Sequence, residues 1–97
     1  MIIITGSVTL RPEHLAAGVA QCVTHSARSR AEPGCLAHNC HIDCENPNRV
    51  AFVEQWADMA AVQAHFAVPE SRAFVAALRG MADAPPEMAV WAAEKVQ

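Results

Sequence analysis

Five residues in the middle of this 97-residue chain have types and spacing suited to chemistry. They are His38 and Cys40 in CLAHNCHIDC, Glu54 and Trp56 in VAFVEQWA, and His65 in MAAVQAHF. The first two segments read as strands, in which alternate residues share a face. His38 and Cys40 then point to one side of the first strand, and Glu54 and Trp56 to one side of the second, among aliphatic neighbours. A carboxylate in such surroundings must be paired, wetted or protonated. An imidazole, with its ordinary pKa of about 6.5, is a natural partner and can also accept a phenolic proton near neutral pH. Polar groups converging among apolar side chains describe a ligand pocket. Phe52, Met59, Phe66 and Phe74 would line it, which suits a flat, mostly apolar ligand. His38, Glu54, Trp56 and His65 are therefore the candidate catalytic residues. The bland alternative makes Trp56 a core aromatic, His65 a solvated helix residue and Cys40 a small buried side chain. His14, His25 and His41 fall at positions read as exposed and receive no role.

A metal centre is the competing chemistry. The group His38-x-Cys40-His41-x-x-Cys44 is dense in ligand types, and Cys22 and Cys35 complete the four cysteines. It holds no CxxC pair, and on a strand its members alternate faces. A site through His38, Cys40 and Cys44 therefore ranks below the reading in which no metal or cofactor is assigned. With 53% hydrophobic and 18% charged residues, the chain is not disordered. A net charge of −3 without a Lys/Arg cluster argues against nucleic acid as a partner. No apolar run reaches the length of a membrane span, and Met1–Ile4 lacks the features of a signal peptide. A cytoplasmic protein with reduced thiols is expected.

The elements that must position these residues follow in order. Residues 2–10 read as a strand. Arg11-Pro12-Glu13 opens a helix whose buried stripe is Leu15, Gly18, Val19, Cys22 and Ser26. Glu32-Pro33-Gly34 ends it. Residues 35–44 form a second strand, 45–49 a hairpin loop and 50–57 a third strand. That loop sets Cys44 opposite Val50, Cys40 opposite Glu54 and His38 opposite Trp56. Asp58 caps a helix with Met59, Val62 and Phe66 inward. Pro69 breaks it, and residues 70–79 resume a short helix with Phe74, Val75 and Leu78 inward, ended by Gly80. Residues 87–93 are the last strand.

The order βαββαβ predicts a single α+β domain over residues 1–97. Its form is a ferredoxin-like sandwich: a four-stranded antiparallel sheet with helices on one face. Ile2, Ile4, Val8, Leu10, Leu36, Ile42, Val50, Phe52, Met88 and Val90 are expected beneath the helices. The opposite face carries Ile3, Ala37, Ala51, Val53 and Trp91. A bare apolar face of this kind predicts a homodimer packed sheet to sheet.

Glu32-Pro33-Gly34-Cys35-Leu36, Asn48-Arg49, Glu54-Gln55-Trp56, Ala60-Ala61, Ala64-His65, Pro69 and Ala73-Phe74 together resemble the antibiotic biosynthesis monooxygenase family. The resemblance implies a dimeric ferredoxin-like α+β barrel, with a pocket between sheet and helices. It also implies oxidation of a quinol or polyphenol-like aromatic by O2 without metal or flavin. Trp56, His65 and Glu54 match the family's pocket Trp, helix His and strand Glu. Glu70 stands where quinol-type members carry His after the proline. Phe52 stands where anthrone-oxidising members carry Asn. Thr5-Gly6-Ser7 lacks the Asn of haem-degrading relatives. A non-catalytic small-molecule-binding dimer, and a haem-degrading or isomerase-like relative on the same fold, are the alternatives.

Overall fold

The computed structural model describes residues 1–97. Its strands are β1 (Ile2–Thr9), β2 (Cys35–Asp43), β3 (Asn46–Trp56) and β4 (Glu87–Ala92). Its helices are α1 (Leu15–Ser29), entered through a 3-10 turn at Pro12–His14, α2 (Met59–Ala67) and α3 (Pro69–Met81). The sheet runs β2-β3-β1-β4 with every neighbouring pair antiparallel. This is the expected ferredoxin-like α+β architecture.

Local chemistry accounts for the element ends. The Asp58 carboxylate accepts the Ala61 N–H at 2.9 Å and caps α2. Pro69 takes the first turn of α3, where its missing N–H leaves nothing unpaired. Gly34 has φ +81°, a conformation that L side chains rarely adopt. A Cβ there would also stand 2.6 Å from the Ala61 Cβ, so this glycine lets the α1–β2 turn lie against α2.

Four expectations are corrected. α3 does not stop at Gly80 but continues to Met81. The Arg11 guanidinium donates to the Gly80 and Ala82 carbonyls, satisfying groups a helix end leaves open. The β2–β3 hairpin has no five-residue loop: Asp43 pairs with Asn46, and β3 begins there. The register therefore moves by two residues, setting His38 opposite Glu54, Cys40 opposite Phe52 and Ile42 opposite Val50. The shared face is kept because a shift of two preserves side-chain parity. The third correction is a bulge between Cys35 and Ala37. It turns Cys35 toward Ile4, Trp56 and Val62 and leaves Leu36 exposed. Finally, the helices do not cover the sheet to its edges, so Ile42, Met88 and Val90 are exposed.

The core has two parts. Val8, Leu10, Cys22, Val50, Phe52, Phe74, Leu78 and Ala82 pack between the sheet, α1 and α3. Ile4, Trp56 and Val62 pack beneath α2. The polar cluster described below lies between them. On the other sheet face Val53 and Trp91 remain open to solvent in the single chain, and Trp91 donates its Nε1–H to Thr5 Oγ1 at 3.0 Å. No helix is long and apolar enough to cross a membrane.

Candidate active site

Five elements send side chains to one buried point. α1 supplies His25, β2 supplies His38, β3 supplies Glu54 and Trp56, α2 supplies His65 and α3 supplies Phe74. Glu32 reaches in from the α1–β2 turn. The pairing of His38 with Glu54 across β2 and β3 puts the imidazole beside the carboxylate.

Glu54 Oε1 is the hub. It accepts the Trp56 indole N–H at 2.9 Å and lies 3.3 Å from His38 Nε2 and 3.9 Å from His65 Nε2. His38 Nε2 is near this oxygen but makes no aligned hydrogen bond. Burial pushes the Glu54 carboxyl upward, but His38, the Trp56 N–H and His65 outweigh it and hold the group below the usual carboxylate range. Glu54 is therefore an anion despite its burial.

His65 carries the arrangement that matters most for proton transfer. Its Nδ1 lies 2.9 Å from Glu32 Oε1. A carboxylate only accepts, so Nδ1 holds a proton, and in the neutral ring Nε2 is the nitrogen with the lone pair. His65 also packs against the Trp56 ring, with centroids 4.6 Å apart. His38 Nδ1 meets the Ser26 hydroxyl at 3.0 Å, a partner that can donate or accept.

His25 stacks on Phe74 with centroids 4.0 Å apart and planes 6° from parallel. Its Nδ1 accepts from Arg28 Nη2 at 2.8 Å, and Arg28 also donates to Ser71 Oγ at 3.1 Å. Burial first, then the charges of His38, His65 and Arg28, lower the His25 pKa to about 3, so the ring stays neutral.

A cavity of about 330 Å³ opens beside this cluster. Phe52, Phe66 and Phe74 form its apolar walls, with His25, Glu54 and His65 at the polar end. Arg72, Arg79 and Glu87 stand where it meets solvent. Of the residues singled out by sequence, Glu54, His65, Phe52, Phe66 and Phe74 line the cavity. His38 and Trp56 are fully buried behind Glu54 and reach the cavity through it. Met59 lies outside the lining, exposed on the first turn of α2. The cysteines take no part. Cys40 packs against the core, Cys44 is exposed, and burial raises the Cys22 thiol to about 12.

Two site residues escape the sequence reading. His25 is buried, not exposed as expected. The signal was present, because it lies three residues from Cys22 and one from Ser26 in the buried stripe. Glu32 reads as a turn residue, and only the packing of that turn against α2 reveals its contact with His65.

Comparison with known proteins agrees with this fold. A crystal structure of an antibiotic biosynthesis monooxygenase superposes with a TM-score of 0.90 at 22% identity, covering 98% of this chain and all of the other. Rv0793 from Mycobacterium tuberculosis gives 0.90 at 18% identity, covering 99% and 98%. At such identities these structures speak to the fold alone. The uncharacterized protein sll1783 of Synechocystis is 27% identical over 96 residues, and the chain, 99% covered, spans 65% of that relative's length. The model of the antibiotic biosynthesis monooxygenase family matches residues 1–77, which include the Glu32–His65 pair, Glu54 and the phenylalanine walls, and the chain belongs to that family.

Proposed function

We propose that this protein is a cofactor-independent monooxygenase that oxidises a quinol or polyphenol-like aromatic with O2. One observation carries the reading. The Glu32-anchored imidazole of His65 lines the polar end of a cavity walled by three phenylalanines. A flat phenolic ring fits between such walls with its hydroxyl toward the nitrogen. His65 takes the hydroxyl proton, and the Glu32 carboxylate stabilises the resulting imidazolium. The electron-rich ring then forms a C–O bond with O2. As the O–O bond breaks, one oxygen stays on the ring and the other leaves as water. Both electrons for that water come from the quinol, which ends as a hydroxyquinone, so no external reductant enters the balance. Glu54 supports the positive imidazolium, and His38 and Trp56 position Glu54. The family match supports the reaction class.

The functional unit in this reading is a homodimer joined through the open sheet face of Ile3, Ala37, Ala51, Val53 and Trp91. Exposed Val53 on β3 and Trp91 on β4, the two strands that flank β1, support it.

The deciding experiment is O2 uptake by chelator-treated protein offered a panel of quinols. Uptake above the autoxidation rate, reduced about 10²-fold or more in His65→Ala, is expected. Uptake at the buffer rate across the panel would replace the oxygenase with a non-catalytic binding module.

A further inference from the structure

We propose that His38, His65 and Glu54 form a binding site for a divalent first-row transition-metal ion, with His25 beside it. Glu54 Oε1 stands 3.3 Å from His38 Nε2 and 3.9 Å from His65 Nε2. His25, His38 and His65 each bring a ring nitrogen to within 4.8 Å of the others. Donors that share one ion at bonds of about 2.0–2.2 Å lie roughly 3–3.5 Å apart. Side-chain movements of about 1 Å or less, by the same bond lengths, close the set.

The donor chemistry selects the ion. Two imidazoles and one carboxylate suit Fe²⁺, Co²⁺ or Zn²⁺, whereas Mg²⁺ and Ca²⁺ prefer oxygen ligands. The outer contacts are those a ligating imidazole needs. Glu32 holds the Nδ1–H of His65 at 2.9 Å, and the Ser26 hydroxyl holds Nδ1 of His38 at 3.0 Å. Glu32 leaves Nε2 of His65 as the ligating atom, and Nε2 of His38 ligates when Ser26 accepts the Nδ1–H. His38 Nε2 is fully buried and has no hydrogen-bond partner. Once the two Nε2 positions give up their protons to an incoming ion, these nitrogens and the Glu54 carboxylate form a pocket that a cation completes. His25 is a neighbour, not a ligand, because Arg28 donates to its Nδ1 and leaves its other nitrogen carrying hydrogen.

This site goes beyond the oxygenase reading. An ion on His65 Nε2 occupies the lone pair that proton transfer requires, so metal occupancy inhibits quinol oxidation.

The test is titration of chelator-stripped, full-length protein with Co²⁺, read by calorimetry and by the visible absorption of the bound ion. One ion per chain is expected, displaced by Zn²⁺ with loss of colour. His38→Gln and Glu54→Gln each weaken binding about tenfold or more. Glu32→Gln weakens it by about 10-fold through its outer contact alone. Far-UV circular dichroism checks folding, and His65→Gln replaces any variant that does not fold. Absence of saturable Co²⁺ binding overturns the site. Binding undiminished in the variants overturns it too, by placing the ion on exposed residues such as His41 or Cys44. Quinol oxidation is assayed in chelator, so either proposal can fail without the other.

Discussion

Replacing Glu32 by Gln tests whether the Glu32–His65 pair is the working base. The substitution keeps the shape and an oxygen that can accept the Nδ1–H at the observed 2.9 Å. Only the charge is lost. A hydrogen bond to a charged partner is worth about 1.5–3 kcal/mol, against about 0.5–1.5 kcal/mol for a neutral one. The positive imidazolium that forms as the substrate loses its proton therefore gives up about 1–1.5 kcal/mol. By the transition-state relation this is roughly a tenfold fall in kcat. Stability should change little, because Glu32 Oε2 is already buried without a partner and the amide meets the same surroundings. The assay is steady-state O2 uptake across pH, with thermal unfolding as the control. A variant with an unchanged melting temperature and a kcat within about twofold of wild type, by the same relation, would refute the assignment of Glu32 and His65 as a proton-transfer pair.

Trp56→Phe removes the only indole donor to buried Glu54, and should lower stability by about 1–3 kcal/mol, read as a shift in urea midpoint. An unchanged midpoint would mean that Glu54 does not need this bond. Acid should destabilise the protein early. His25 is held at about 3 when folded and rises toward 6.5 when unfolded, so the unfolded state binds the extra proton. Its stabilising effect is complete above about 6.5 and is lost as pH falls toward 3, at up to about 1.4 kcal/mol per pH unit. The groups facing it are Arg28 of α1, His38 of β2, Glu54 of β3, His65 of α2 and Phe74 of α3. Urea unfolding at pH 7.5 and pH 5, with His25→Phe for comparison, checks the slope, which should flatten in the variant. Val53→Asp places a charge on the open sheet face and should convert the dimer to a monomer in sedimentation equilibrium. A wild-type monomer at about tens of micromolar would remove the dimer from the functional reading.

Much of the site was legible because strand parity is robust. His38, Glu54 and Trp56 share a face in either register, so a two-residue error in the hairpin left their grouping intact and changed only which pairs sit opposite. The Asp58 cap and the Pro69 break likewise follow from single side chains acting on neighbouring backbone. His25 was lost for a different reason. A polar residue at the flank of an apolar stripe is buried or exposed according to what packs on it, and Phe74 of α3 is what covers this one.

The sequence alone therefore determined the order of elements, the face on which the polar residues gather, and the apolar walls. These depend on periodicity and local caps, which act over a few residues. The tertiary structure decided which polar groups touch. Glu32 meets His65 across 33 positions of chain, and Arg28 meets Ser71 across 43. It also decided where the helices stop covering the sheet, leaving Ile42, Met88 and Val90 in the open, and where the β2 bulge exposes Leu36. No periodicity encodes such contacts. They arise when α1, α2 and α3 settle on one face of the sheet, and there a turn glutamate and a flanking histidine enter the buried cluster.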